Sequence, residues 1–273
     1  MVRIGLATIL SLCIATSVSA KQVIVSGSTS VARVMDVLAE TYNKQHPDDF
    51  VAVQGIGSTA GVTMVINKVA DLGMTSRYLT EGESDQKIQS IRMAADGLAV
   101  VVNPENPVQN LTQKQLADIY QGKITNWKEV GGNDLQIAVV TREVSSGTRY
   151  SFESLLGLTT TLNGQVVSDI NPTNLVVNSN SMVKTLVNHN RQAIGFVSMG
   201  SIDRSIKAID VAGIHPTTDN VVSRKYPLYR PFLLITRQDD VNENAQKFID
   251  FVLSKQGQTL IEQYGYTPVS SKL

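Results

Sequence analysis

The stretch Val23-Ile-Val-Ser-Gly-Ser-Thr-Ser-Val-Ala-Arg-Val-Met-Asp-Val-Leu-Ala-Glu-Thr-Tyr-Asn-Lys-Gln-His-Pro47 reads as a strand, a hydroxyl-rich turn and a helix in immediate succession. Val23–Ser26 is a short β run. From Ser30 to His46 the apolar residues Val31, Val34, Met35, Leu38 and Tyr42 recur at helical spacing, and Pro47 with the two aspartates after it ends the helix. The same order returns downstream. Phe50–Val53 is a strand, Gly55-Ile-Gly-Ser-Thr-Ala-Gly61 follows it, and Thr59–Ala70 is a helix with Val62, Val65, Ile66 and Val69 on one face. A third short strand is expected at Asp71–Met74.

Further along, Leu98–Val102 is fully apolar and β-branched, as a buried strand is. Asn103-Pro-Glu-Asn-Pro107 breaks the pattern and suggests a crossover. Thr112 is placed to cap a helix carrying Leu116, Ile119 and Tyr120. Strands are expected at Ile137–Val140, Ala193–Val197 and Pro231–Thr236. Helices are expected at Thr148–Leu156, Met182–His189 and Asn242–Tyr264, the last broken near Gly257. Strands followed by helices give an α/β class with mixed or parallel sheets.

A chain of 273 residues is comfortable for two domains, and 42% apolar residues supply their cores. The 24 Lys and Arg balance 24 Asp and Glu without forming a basic cluster, which argues against nucleic acid as a partner. Residues 1–20 place Arg3 before an apolar run and end on small residues, with Val18 and Ala20 where a signal peptidase reads. A cleaved secretory signal is therefore expected, and an exported protein after it. Cys13, the only cysteine, lies within that segment and follows Leu12, a poor setting for a lipoprotein anchor.

The chemistry concentrates at three strand-to-helix junctions: Gly27-Ser28-Thr29-Ser30, Gly55-Ile-Gly-Ser58-Thr59, and Ser145-Ser146-Gly147-Thr148. A helix N-terminus offers unpaired N–H groups and a positive partial charge; glycine permits close approach, and hydroxyls add donors without net charge. Each junction alone could be an ordinary cap. Three of them after strands suit a tetrahedral oxyanion, since ligands of open α/β sheets sit at C-terminal strand ends. Arg142 abuts the third junction and Arg77 ends the Gly73–Arg77 strand region, each a planar fork for an anion. No nucleophile elbow, phosphate loop, dinucleotide fingerprint or His-based metal spacing occurs, so neither catalysis nor a metal or other cofactor is expected.

Ser26–Val31, Gly55–Ser58 and Arg142-Glu-Val-Ser-Ser-Gly-Thr-Arg149 resemble the ligand loops of the substrate-binding proteins of bacterial phosphate ABC transporters, the PstS family. Leu116-Ala-Asp-Ile-Tyr-Gln-Gly-Lys-Ile-Thr-Asn-Trp127, Ala193–Val197, Phe248–Ser254, Gly257-Gln258 and Gly265–Pro268 extend the resemblance over nearly the whole chain beyond the signal. It implies an α/β, two-lobed periplasmic-binding-protein fold of type II, each lobe a mixed sheet flanked by helices, with a hinge of two crossing segments. The lobes would comprise residues 21–102 with 204–273, and 103–203. Carried over by position, the phosphate-binding set would be Ser28, Thr29, Ser30, Ser58, Ser76, Arg77, Arg142, Ser146, Gly147 and Thr148. Some members place an aspartate where Ser76 stands, to accept a proton from phosphate, so selection against sulfate is less secured here. The implied protein is a periplasmic monomer, not an enzyme, that delivers inorganic phosphate to a membrane permease. The alternatives are another tetrahedral oxyanion as ligand, or a secreted phosphatase.

Overall fold

A computed structural model describes residues 21–239 and 241–269. The expected signal segment with Cys13, and Asp240, lie outside the described residues. In chain order the elements begin with β1 (Lys21–Gly27), α1 (Thr29–Gln45), β2 (Asp49–Gly55), α2 (Ser58–Ile66), β3 (Leu72–Thr75), α3 (Glu81–Ser84) and β4 (Ile88–Val102). There follow β5 (Asn110–Leu111), α4 (Gln113–Gln121), β6 (Ala138–Arg142), α5 (Gly147–Leu156), β7 (Thr159–Leu162), β8 (Gln165–Ser168), β9 (Leu175–Val177), α6 (Asn180–His189) and β10 (Ala193–Ser198). The chain ends with β11 (Lys207–Ala208), β12 (Asp210–Val211), α7 (Thr218–Val222), β13 (Tyr229–Arg237), α8 (Glu243–Leu253), α9 (Lys255–Gln263) and β14 (Thr267–Pro268).

The main sheet runs β2-β1-β3-β13-β4-β10-β6-β9. β1 lies between β2 and β3, parallel to both, while β13 runs antiparallel to β3 and β4. The long strand β4 serves two neighbours. Its first part pairs with β13, from Ile88 opposite Arg237 to Gly97 opposite Tyr229; its last part pairs with β10, from Leu98 opposite Ser198 to Val102 opposite Ile194. The chain thus changes neighbours at Gly97–Leu98 without leaving the strand. Opposite this point, Leu98 N–H donates to Leu228 O at 2.7 Å and Tyr226 Oη donates to Leu98 O at 2.8 Å.

The apolar side chains sort by the same division. On one side Val31, Val34, Met35 and Leu38 of α1 pack with β1, β3, β13 and Phe248 of α8, and Val62 and Val65 of α2 cover the opposite face of the sheet. On the other side Phe152 of α5 stacks on Phe196 of β10 at 4.0 Å, beside Tyr120 and Trp127. Ile209, Val211, Val221, Tyr226 and Leu228 belong to this second core. The expected division at 102/103 and 203/204 does not follow this packing. Leu98–Val102 pairs with the second lobe, and residues 206–228 fill its core.

Most elements lie where the apolar spacing puts them. Thr112 caps α4 by accepting from Gln115 N–H at 3.1 Å, and the Gln115 side chain accepts from Thr112 N–H at 2.9 Å. Thr112→Ala is expected to destabilise the second lobe by about 1 kcal/mol, read as a lower urea midpoint. β4 begins ten residues before the expected strand, and the β7–β8 hairpin was not expected at all. The hairpin turns on Asn163 and Gly164, both at positive φ (53° and 77°), which is the type I′ geometry that Asn-Gly favours.

Candidate functional site

The N-termini of α1, α2 and α5 meet where the two lobes face each other. Ser28 caps α1, its Oγ accepting from the N–H groups of Ser30 and Val31 at 3.2 and 3.4 Å. With both acceptor positions occupied, its hydroxyl proton goes to Ser76 Oγ at 2.9 Å. Ser76, just past β3, donates its N–H to Ser58 Oγ at 3.2 Å, and the two hydroxyl oxygens lie 3.5 Å apart. Ser58 opens α2, whose N-cap is Gly57 at φ 99°, with no side-chain cap bond. A side chain at Gly57 would place Cβ 2.7 Å from Ser145 Oγ across the interface, so glycine there lets the second and third junctions touch. Within the first turn of α2, Thr59 N–H donates to Ser145 O at 3.2 Å, so the second junction is bonded to the third through its backbone.

From the other lobe, Gly147 opens α5 behind the capping Ser146, whose Oγ accepts from Arg149 N–H at 3.3 Å. A Cβ at Gly147 would stand 2.2 Å from Ser58 Oγ and 2.8 Å from Ser76 Oγ. Thr148 Oγ1 and Ser30 Oγ share a hydrogen bond of 2.9 Å between the lobes. Asn180 Nδ2 donates to Ser30 Oγ at 2.9 Å, and Arg230 Nη1 donates to Thr148 Oγ1 at 2.8 Å. Ser28, Ser30, Ser58, Ser76, Ser146 and Thr148 are each at most 2% exposed. Five of these hydroxyls, those of Ser28, Ser30, Ser58, Ser76 and Thr148, are thus drawn into one buried place, a costly arrangement unless polar groups satisfy one another or a ligand.

Three arginines surround the hydroxyls, each tied to a carboxylate. Arg142 grips Glu143 with Nε at 2.9 Å and Nη2 at 3.0 Å. Its Nη2 also reaches Thr29 Oγ1 and Asn178 O, both at 3.1 Å, and Nη1 lies 3.5 Å from Asn180 Oδ1. Arg77 turns toward Glu83, with two bonds of 2.7 Å, toward Tyr78 O and Thr59 Oγ1, and stacks over the Tyr150 ring at 4.9 Å. Burial raises the Glu83 carboxyl, but the bonds from Arg77 and Thr80 outweigh it and hold Glu83 below its ordinary range. Arg230 donates Nε and Nη2 to Asp96 Oδ2 at 3.0 and 2.8 Å. Burial pushes the Asp96 carboxyl up, and Arg230 with the Met199 N–H at 3.2 Å holds it back; burial likewise pulls the guanidinium down against Asp96.

Of the residues singled out in the sequence, Ser28, Ser30, Ser58, Ser76, Gly147 and Thr148 come together directly. Arg142 and Thr29 join at their edge through their mutual bond. Ser146 is a helix cap. The Arg77 guanidinium contacts no member of the hydroxyl cluster, because Glu83 and Tyr150 hold it on the flank. Sequence reasoning missed Asn180, Asp96 and Arg230. Asp96 interrupts an apolar run and Arg230 stands at the head of another, and such charges within buried strands were the available signal.

A family model described as a PBP superfamily domain matches residues 15–256. The phosphate-binding protein PstS of Borreliella burgdorferi is 30% identical over 92% of this chain and 91% of its own. The chain belongs to the PBP superfamily and, within it, to the PstS family. Two solved structures agree. An ABC-type phosphate transport receptor from Vibrio cholerae shares 59% identity over 90% of this chain and 99% of its own, with a TM-score of 0.77. A Clostridium perfringens protein, assigned as a phosphate ABC transporter substrate-binding protein and solved with bound phosphate, shares 37% identity over 91% and 100%, with a TM-score of 0.87. The fold is accordingly the type II periplasmic-binding-protein fold expected from the sequence. Among the described residues no helix of this PstS-family chain is long and apolar enough to cross a membrane, and no group of three or more His, Cys, Asp or Glu is arranged to hold a metal ion.

Proposed function

We propose that the protein captures inorganic phosphate between its lobes outside the cytoplasm and delivers it to the permease of an ABC transporter. The observation that carries this is the meeting of Ser28, Ser30, Ser58, Ser76, Gly147 and Thr148 at three helix N-termini. A dianion withdrawn from water needs many donors in return, each charge-assisted bond contributing roughly 1.5–3 kcal/mol. Micromolar affinity requires only about −8 kcal/mol net, so a handful of well-aimed donors suffices. The names of the relatives favour phosphate over other oxyanions. Binding without turnover fits a cluster of hydroxyls whose neighbouring carboxylates, Glu83, Asp96 and Glu143, are each engaged by an arginine.

In this reading residues 21–97 with 229–269 form one lobe and 98–228 the other. The crossings lie at Gly97–Leu98 and Leu228–Tyr229, and closure about them completes the donor set. Residues 1–20 act as a cleaved signal, and the exported chain is a monomer without a lipid anchor. Sulfate is the informative competitor, because Ser76 offers a hydroxyl where a carboxylate would repel an unprotonated anion.

Calorimetric titration of ligand-stripped protein with phosphate and then sulfate, at about pH 5 and about pH 7, tests the assignment. Micromolar or tighter phosphate with weak sulfate is the expected result. Sulfate binding as tightly as phosphate would overturn the ligand assignment, and turnover of p-nitrophenyl phosphate would overturn the transport role. Ser58→Ala is expected to weaken phosphate about fivefold without changing the fold, since one neutral donor is lost. An unchanged dissociation constant in that variant would remove Ser58 from the site.

A further inference from the structure

The ion pair between Asp96 and Arg230 stands apart from the other two arginine–carboxylate pairs. Its side chains are 0% and 1% exposed, whereas Glu83 and Glu143 are 15% and 24% exposed and partly solvated. Asp96 and Arg230 are register partners on β4 and β13, one residue from the point where both strands pass between the lobes. Asp96 occupies one edge of the guanidinium through Nε and Nη2. The remaining corner, Nη1, leaves the pair and donates to Thr148 Oγ1 at 2.8 Å in the second lobe, with Ser76 O of the first lobe 3.4 Å away. The carboxylate does not exhaust the five donors of this guanidinium, which extends one of them into the hydroxyl cluster.

The direction of the hydrogen bonds adds a constraint. Arg230 can only donate to Thr148, and Asn180 Nδ2 can only donate to Ser30. Between them, Ser30 and Thr148 share one bond. Whichever hydroxyl donates in that bond, the other keeps a proton that none of these three bonds takes up, while Asn180 Oδ1 lies toward Arg142 Nη1 and Ser198 N–H. The pair is clamped at both ends by donors, which leaves one O–H to be directed at the oxygen of a bound anion. We infer that Arg230, held by Asp96, is an affinity-determining residue of the anion site, contributing positive charge from the hinge and fixing the Ser30–Thr148 pair as a donor to an oxyanion. This rests on the oxyanion-binding reading above and assigns it a residue that the three junction motifs do not contain.

The two partners of the pair then have opposite effects on the ligand, which a purely structural pair would not. Arg230→Met and Asp96→Asn both break the same buried ion pair, and both are expected to lower the unfolding temperature of the unliganded protein. Phosphate binding is expected to weaken at least about 30-fold in Arg230→Met, because a charge and a directed donor are lost. In Asp96→Asn it is expected to tighten by about threefold or more, because a nearby carboxylate no longer opposes the anion. Isothermal titration of both variants, with thermal unfolding in parallel, reads the contrast. Weakened binding in both variants would mean that the pair only holds the hinge and would overturn the inference, as would an Arg230→Met constant within threefold of wild type. Should Arg230→Met fail to fold, Asp96→Asn decides alone, since the structural reading requires it to weaken binding. The contrast can be read with sulfate if wild type prefers it to phosphate, which separates a wrong ligand from a wrong role for Arg230. Wild-type protein that binds neither would overturn both.

Discussion

Gly147→Ala is expected to abolish measurable phosphate binding, a loss of about a thousandfold or more, while leaving the protein folded. The added methyl carbon would lie 2.2 Å from Ser58 Oγ and 2.8 Å from Ser76 Oγ, far inside van der Waals contact. Neither hydroxyl can swing away freely. Ser58 Oγ accepts from Ser76 N–H, and Ser76 Oγ accepts from Ser28. Relief therefore comes from parting the lobes, which removes α5 from the donor set. Gly147 is the first residue of α5 and is not among the glycines at positive φ, so alanine suits its backbone and the lobe core is untouched. Titration calorimetry beside a thermal melt checks this. Undiminished binding with an unchanged melt would place the anion away from the three junctions. Small-angle scattering supplies a second reading, because wild type is expected to contract on adding phosphate and the variant is not.

That Gly147 can be singled out at all shows what was legible. The run from Val23 to Pro47 contains its own strand, cap and helix, because every signal in it is local: apolar spacing, a serine cap, a terminating proline. The hydroxyl junctions are legible for the same reason. What escaped depends on partners distant in the chain. Asp96 and Gly97 lie just before the expected strand Leu98–Val102 rather than in the middle of β4, because the residue that neutralises Asp96 is Arg230, 134 positions later. The crossing between lobes was expected at Asn103–Pro107, where the sequence visibly breaks. In the reading proposed above it lies instead where β4 runs straight on and changes neighbours. Arg77, at the end of the Gly73–Arg77 region, was expected in the site with Arg142, which abuts the third junction. Only the fold brings Glu83 and Tyr150 around it. The β7–β8 hairpin had a readable Asn163-Gly164 turn, but its strands are exposed along their whole length and show no apolar alternation to attract notice.

Arg142→Ala is expected to weaken phosphate binding by about a hundredfold, and the size of that loss comes from Glu143 as much as from the arginine. Arg142 is 1% exposed and bridges the lobes, with Nη2 donating to Thr29 Oγ1 of α1 and to Asn178 O, and Nη1 approaching Asn180 Oδ1. Truncation removes a positive charge from the rim of the site and a donor from the closed interface. It also leaves Glu143 without the guanidinium that occupies both its oxygens, so a bare carboxylate then faces the entering anion. The fold should tolerate this, because Glu143 is partly exposed and can be solvated. Arg142→Ala/Glu143→Gln is expected to recover about tenfold of the lost affinity although it removes a further ionised group, because the carboxylate no longer opposes the anion. Arg142→Lys should fall between wild type and Arg142→Ala, since an ammonium keeps the charge but cannot hold Glu143, Thr29 and Asn178 at once. A double variant no better than Arg142→Ala would mean that the arginine acts through closure alone. The Thr29 contact would then matter more than the charge, and Thr29→Val should reproduce most of the loss.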